Sequence, residues 1–169
     1  MKPALLVPVI AALTGLLLMA NGCYSFTGAS VPSHLKTLAI PLVDDQSGFG
    51  EPNLRETFTT TLIRAFTNDN TLQVADRGAA DAVLEGVLLP IKDGPLVVTE
   101  GEQVTTNRIT VSVKMVFQDL KLKKKVWEKT FINTGDYDPG GGFTARENGL
   151  GEAMRKITED IVLDTVSGW

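Results

Sequence analysis

The chain carries one cysteine and one histidine in 169 residues. A single cysteine excludes any disulfide within the chain. A single histidine, His34, excludes a multi-histidine metal centre, and no nucleophile elbow accompanies it to suggest a Ser-His-Asp site. It is expected at the surface. Basic residues are outnumbered, 16 Lys and Arg against 20 Asp and Glu, which argues against nucleic acid as a main partner. Phosphate loops are missing too. Asp44-Asp45-Gln46-Ser47-Gly48-Phe49-Gly50 lies where one would sit, but it has neither the third glycine nor Gly-Lys-Ser/Thr. Asp44, Asp45 and Glu51 would repel a phosphate, so the segment reads as a flexible turn. Asp136 and Asp138 beside Gly140, Gly141 and Gly142 lack the acidic spacing and closing Glu of a calcium loop. That stretch reads as a mobile loop. No metal, cofactor or catalytic constellation is expected, and the chain reads as a non-enzyme.

What is present begins at the N-terminus. Lys2 precedes the uncharged apolar run 4–19, and the small residues Ala20 and Gly22 flank Asn21 before Cys23. This is the order of a secretory leader. In an exported protein a lone cysteine pairs with another chain, stays reactive, or is consumed. Its place at the cleavage point suggests the third outcome, lipid attachment at Cys23. An ordinary cleaved signal and an uncleaved anchor are the alternatives. The run is near the lower limit for a spanning helix, and Pro8, Thr14 and Gly15 weaken it. The expected division is a signal peptide over 1–22, a lipidated linker over 23–33, and one domain over 34–169. Removing Lys2 leaves 15 basic against 20 acidic residues, a net charge of −5. The 43% hydrophobic content excludes a disordered tail, and the length suffices for a core without disulfides.

Periodicity sets the elements. Leu38, Ile40 and Leu42 predict a strand over 35–42. Asn53 with Glu56 predicts a capped helix over 54–67, with Leu54, Phe58, Leu62, Ala65 and Phe66 on its core face and Asp69-Asn70 ending it. A short strand over 71–75 follows, then a buried strand over 82–91, broken by Asp93-Gly94-Pro95. Across 103–120, Ile109, Val111, Val113, Met115 and Phe117 alternate with Thr110, Ser112, Lys114 and Gln118. A basic turn over 121–125 leads to a return strand over 126–132, with Trp127 and Phe131 on one face. A loop over 135–142 precedes a helix over 145–166. Thr144 and Glu147 predict its capping box. Leu150, Ala153, Met154, Ile157 and Ile161 form its apolar stripe, with Lys156, Glu159 and Asp160 outside it. Gly149 and Gly151 suit a close approach of another backbone. This order predicts an α+β two-layer sandwich, with two helices on one face of a mostly antiparallel, mixed sheet.

The lysine-rich turn has two readings. One is a solvated hairpin tip. The other is contact of Lys123, Lys124 and Lys125 with anionic lipid phosphates, for which ammonium groups serve as point charges.

The chain resembles the LptE family of lipopolysaccharide-assembly lipoproteins. The resemblance rests on Gly22-Cys23-Tyr24-Ser25-Phe26, Leu38-Ala39-Ile40-Pro41, the glycine-rich approach to Asn53, Leu72-Gln73-Val74, and Ala80-Asp81-Ala82-Val83-Leu84-Glu85-Gly86. The long strand, Val126-Trp127-Glu128 and the C-terminal helix continue it. It implies a periplasm-facing lipoprotein held in the outer membrane by N-terminal acyl chains such as palmitate. It also implies an LptD-type β-barrel partner that the domain plugs, lipopolysaccharide as the cargo inserted, and no catalytic residues. The alternative is a periplasm-facing scaffold or binding module without a transport role.

Overall fold

The computed structural model describes residues 31–96 and 106–167. It is an α+β two-layer arrangement, as the order of elements predicts. The strands are β1 (Thr37–Ala39), β2 (Asp44–Asp45), β3 (Gln73–Val74), β4 (Ala82–Leu88), β5 (Lys92–Pro95), β6 (Asn107–Asp119) and β7 (Lys124–Tyr137). The helices are α1 (Leu54–Asp69) and α2 (Gly142–Ser167). β1 lies parallel between β3 and β4, and β2 pairs in parallel with the end of β4. β4 and β5 both run antiparallel to β6, and β7 pairs along the whole of β6. β7 therefore forms one outer edge of the sheet.

The core follows the expected faces. Ile109, Val111, Val113, Met115 and Phe117 of β6 are buried, opposite Leu84 and Leu88 of β4. They pack against Leu54, Phe58, Leu62 and Phe66 of α1 and Leu150, Ala153, Met154, Ile157 and Ile161 of α2. Trp127 stacks at a tilt on Phe117, and Phe131 meets Trp127 edge-on, with centroids 5.7 and 5.9 Å apart. Asn70 closes α1 in a left-handed conformation, its N–H donating to the Phe66 carbonyl at 3.0 Å.

Several local expectations are corrected. β1 ends at Ala39, so Leu42 is 51% exposed, while Val43 turns inward and its N–H donates to Thr59 Oγ1 at 3.1 Å. Asn53 takes a left-handed conformation and makes no side-chain cap, while Glu56 pairs with Arg55. Asp44 and Asp45 form a short strand instead of a flexible turn. β4 ends at Leu88, and Asp93-Gly94-Pro95 lies within a new strand that begins at Lys92, where an edge position tolerates the proline because no outward N–H is needed.

The stretch over 135–142 is not a mobile loop. Gly135 to Tyr137 continue β7, and Pro139–Gly141 form a 3-10 turn. Asp138, whose carboxylate accepts the Gly140 N–H at 2.7 Å, caps that turn, and Thr144 lies inside the first turn of α2. Gly135 is required where α2 crosses β7. A Cβ there would sit 1.8 Å from the carbonyl oxygen of Gly149. Gly149 thus makes the close approach that its sequence position suggests, whereas a Cβ on Gly151 would meet nothing within 4 Å.

Candidate functional site

The β6–β7 hairpin tip is built around Asp119, which is 3% exposed. Its carboxylate accepts the Leu122 N–H at 2.8 Å and meets His34 Nε2 at 2.6 Å. Burial alone would raise its pKa, but the hydrogen bonds from His34 and from the backbone of Leu122 and Lys121 hold it below the ordinary aspartate value. His34 is therefore half-buried and paired, contrary to the expectation of a surface histidine. It staples the segment ahead of β1 to the tip.

The basic turn divides into tied and untied lysines. Lys121 Nζ lies 2.8 Å from Asp81 and also donates to the His34 carbonyl at 2.8 Å. Lys121, then the N–H groups of Lys36 and Thr37, hold the Asp81 carboxyl well below the usual range. Lys125 and Lys114 converge on Glu128, each at 2.5 Å, and push its pKa down to about 2, Lys114 contributing most. Lys114, on the adjoining strand, thus shares a carboxylate with the tip. Lys123 sits in a left-handed conformation that forms the turn. The side chains of Lys123 and Lys124 have no hydrogen-bond or ion-pair partner among the described residues. Leu122 beside them is 65% exposed.

The sheet face away from the helices carries Thr110, Ser112, Lys114 and Gln118 of β6 beside Glu128, Thr130, Ile132 and Thr134 of β7. Its charges are largely paired, with Lys114 and Lys125 sharing the single carboxylate of Glu128. Arg108 grips Asp136 with two bonds of 2.6 and 2.8 Å, which lowers the Asp136 pKa. Glu85 accepts from Arg77 at 2.7 Å and from Gln118 at 3.1 Å. Such a face suits a polar, hydrated interface.

A second polar cluster escaped the sequence reading. Arg146, in the first turns of α2, donates to Asp93 at 2.8 Å and Glu51 at 3.1 Å, and its guanidinium lies 4.2 Å from the Phe49 ring centroid. Tyr137 donates to the other Asp93 oxygen at 2.8 Å and accepts from Asn107 at 3.0 Å. Asp93 above all raises the Arg146 pKa. The available signal was a cation near a helix N-terminus, where the dipole disfavours it and a carboxylate partner compensates. The cluster ties the glycine-rich loop, β5, β7 and α2 together.

Among the described residues no group of His, Cys, Asp or Glu is arranged to hold a metal ion. No helix among them is long and apolar enough to cross a membrane. Cys23 lies outside the described residues.

No curated protein sequence matches the chain. Solved structures share its fold. Protein XCC0632 from Xanthomonas campestris superposes with a TM-score of 0.58 at 14% identity, covering 82% of this chain and 87% of its own. The PelC dodecamer from Paraburkholderia phytofirmans gives 0.55 at 14%, covering 83% and 95%. An uncharacterized lipoprotein B from Nitrosomonas europaea gives 0.55 at 11%, covering 79% and 84%. At such identities these likenesses speak to the fold alone. The model of the LptE family, described as lipopolysaccharide-assembly, matches residues 35–165, nearly the whole described domain. The chain belongs to the LptE family of lipopolysaccharide-assembly lipoproteins.

Proposed function

We propose that this protein is an outer-membrane lipoprotein that plugs an LptD-type β-barrel and supports lipopolysaccharide transport and insertion, without catalysing a reaction. The observation that carries this reading is family membership over residues 35–165, in a chain whose single cysteine follows an apolar run with the order of a secretory leader. Acyl chains on Cys23 anchor the protein, since stable attachment needs more than one chain. The domain faces the periplasm. The compensated sheet face and its loops meet the barrel wall, with a few buried anchors supplying most of the binding energy. Lys123 and Lys124, unpaired beside the exposed Leu122, meet lipid phosphates. Lys125 joins them while shared with Glu128.

Affinity purification from detergent-solubilised membranes tests the partner, and the barrel should co-purify. Depleting the protein should lower mature barrel and surface lipopolysaccharide together. Normal levels of both after complete depletion would reject the transport role and favour a scaffold. Mass spectrometry of the mature protein should find Cys23 as the first residue, carrying diacylglycerol. A different first residue with an unmodified Cys23 would remove the anchor from this account.

A further inference from the structure

The outer edge of β7 is only partly closed. Leu89 N–H donates to the Ser112 carbonyl and Leu96 N–H to that of Thr106, so the even-numbered residues of β6 bond toward β4 and β5. The odd-numbered residues of β6 therefore bond to β7. By the register, Trp127, Lys129, Phe131 and Asn133 of β7 are the inward-bonded partners. Glu128, Thr130, Ile132 and Thr134 turn their N–H and C=O groups outward. Thr134 confirms the parity: its N–H donates to Asn133 Oδ1 at 3.0 Å, and its carbonyl accepts from Lys156 at 3.1 Å. That closes the edge where α2 crosses it. No such cover exists among the described residues for the backbone of Glu128, Thr130 and Ile132.

A groove of about 430 Å³ runs beside this open edge, between Phe131 and Ile132 on the strand and Asp160, Leu163 and Asp164 on α2. Ile132 and Leu163 are 61% and 63% exposed, which makes its rims apolar. Its charged lining is acidic. Lys129 pairs with Asp164 at 2.6 Å, but Asp160 meets only the neutral amide of Asn133, at 2.9 Å.

We infer that the β7 edge at Glu128, Thr130 and Ile132 docks an extended, basic peptide segment of another protein, which adds a strand to the sheet beside α2. Outward N–H and C=O groups at two-residue spacing are matched by another extended backbone. The uncompensated Asp160 selects a basic side chain on it. A second copy fits less well. Pairing two β7 edges about Thr130 brings both acidic stretches of α2 to one junction, like charge against like. The edge uses the backbone of Glu128, Thr130 and Ile132, whose side chains belong to the sheet face proposed to meet the barrel, and it does not involve Lys123 or Lys124.

The test uses the full mature lipoprotein in detergent micelles and a fluorescein-labelled peptide of alternating lysine and valine. Residue-resolved hydrogen exchange should slow at the amides of Glu128, Thr130 and Ile132. Lys129 and Phe131, already bonded to β6, should be unchanged. Thr130→Pro removes an outward N–H and spares the β6 ladder, and should weaken binding about tenfold or more. Asp160→Asn should weaken it less. The inference is overturned if the edge amides show no protection at millimolar peptide. It also fails if a peptide with proline in place of valine binds equally, because charge alone would then explain binding. Concentration-dependent protection of the same amides without peptide would assign the edge to a second copy instead. If Thr130→Pro does not fold, the exchange pattern of the unaltered protein decides.

Discussion

Gly135→Ala and Gly151→Ala should shift stability in opposite directions, although one glycine lies on α2 and the other on the strand that α2 crosses. An alanine Cβ at position 135 would lie 1.8 Å from the Gly149 carbonyl oxygen and 2.7 Å from its carbon. Both obstacles are backbone, so no rotamer change relieves the clash. To restore van der Waals separation α2 must retreat by roughly 1.5–2 Å. That retreat stretches the Lys156–Thr134 and Asn133–Asp160 bonds and loosens Leu150, Ala153 and Ile157 from the sheet. Overpacking alone costs about 1–3 kcal/mol, and loss of the surrounding contacts carries the total to about 3 kcal/mol or beyond. Gly151 is exposed within α2, with nothing within 4 Å of an added Cβ. There alanine narrows the unfolded ensemble and should stabilise by about 0.5–1 kcal/mol. Urea unfolding of the mature protein, followed by circular dichroism, reads both shifts as changes in midpoint at constant slope. A neutral Gly135→Ala, or two shifts of the same sign, would refute the crossing of α2 over β7.

Leu62→Ala, Ile157→Ala and Val113→Ala each empty a fully buried site and should destabilise by between about 1 and 5 kcal/mol. Unchanged urea midpoints for all three would show the core faces to be misassigned. Asp81, Asp119 and Glu128 have pKa values held below those of the unfolded chain, so the native state binds fewer protons. Their stabilisation is complete above the unfolded values and is lost as pH falls through the folded ones. For Glu128 that window runs from 4.5 down to about 2, and Glu128→Gln should flatten the decline of the urea midpoint across it. Neutralising Lys123, Lys124 and Lys125 together should weaken lipopolysaccharide binding, measured by co-purification, and leave barrel association intact.

The sequence made the core legible because burial imposes a period. The alternation along β6 and the stripes on both helices reappear as the buried faces, with Ala65 alone only partly buried. Boundaries were less legible because partners distant in sequence decide them. Leu42 continues the alternation of β1, yet Val43 is the residue turned inward, held by Thr59 on α1. Asp93-Gly94-Pro95 has the composition of a breaker, but β6 extends far enough to pair with it. Asn53 and Thr144 have cap chemistry without cap geometry, because a left-handed turn and Asp138 shape those helix starts. The site was least legible. Five consecutive residues rich in lysine read alike whether paired or not, and Asp81, 40 residues before Lys121, has no local signal of its own. His34 likewise shows its role only when β6 brings Asp119 to it across the fold.

The same pairing pattern predicts how the two proposed contacts respond to salt. On the sheet face Lys114 and Lys125 share Glu128, Arg108 holds Asp136, and Arg77 holds Glu85. Most of these charges have an opposite close by, two lysines sharing one carboxylate, so the field of the face is weaker than that of unpaired lysines. A barrel wall docking there gains shape fit and hydrogen bonds rather than net attraction. Lys123 and Lys124 have no such compensation among the described residues, and a phosphate near them is attracted through solvent. Raising ionic strength to about 1 M shortens the screening length to about 3 Å, below the reach of an exposed ammonium toward a mobile headgroup. Lipopolysaccharide binding should therefore fall steeply across a salt titration, while the detergent-solubilised complex with the barrel persists. If the barrel complex dissociates over the same range as lipopolysaccharide, the sheet face is not its contact. An uncompensated charged surface would then have to replace it in this account.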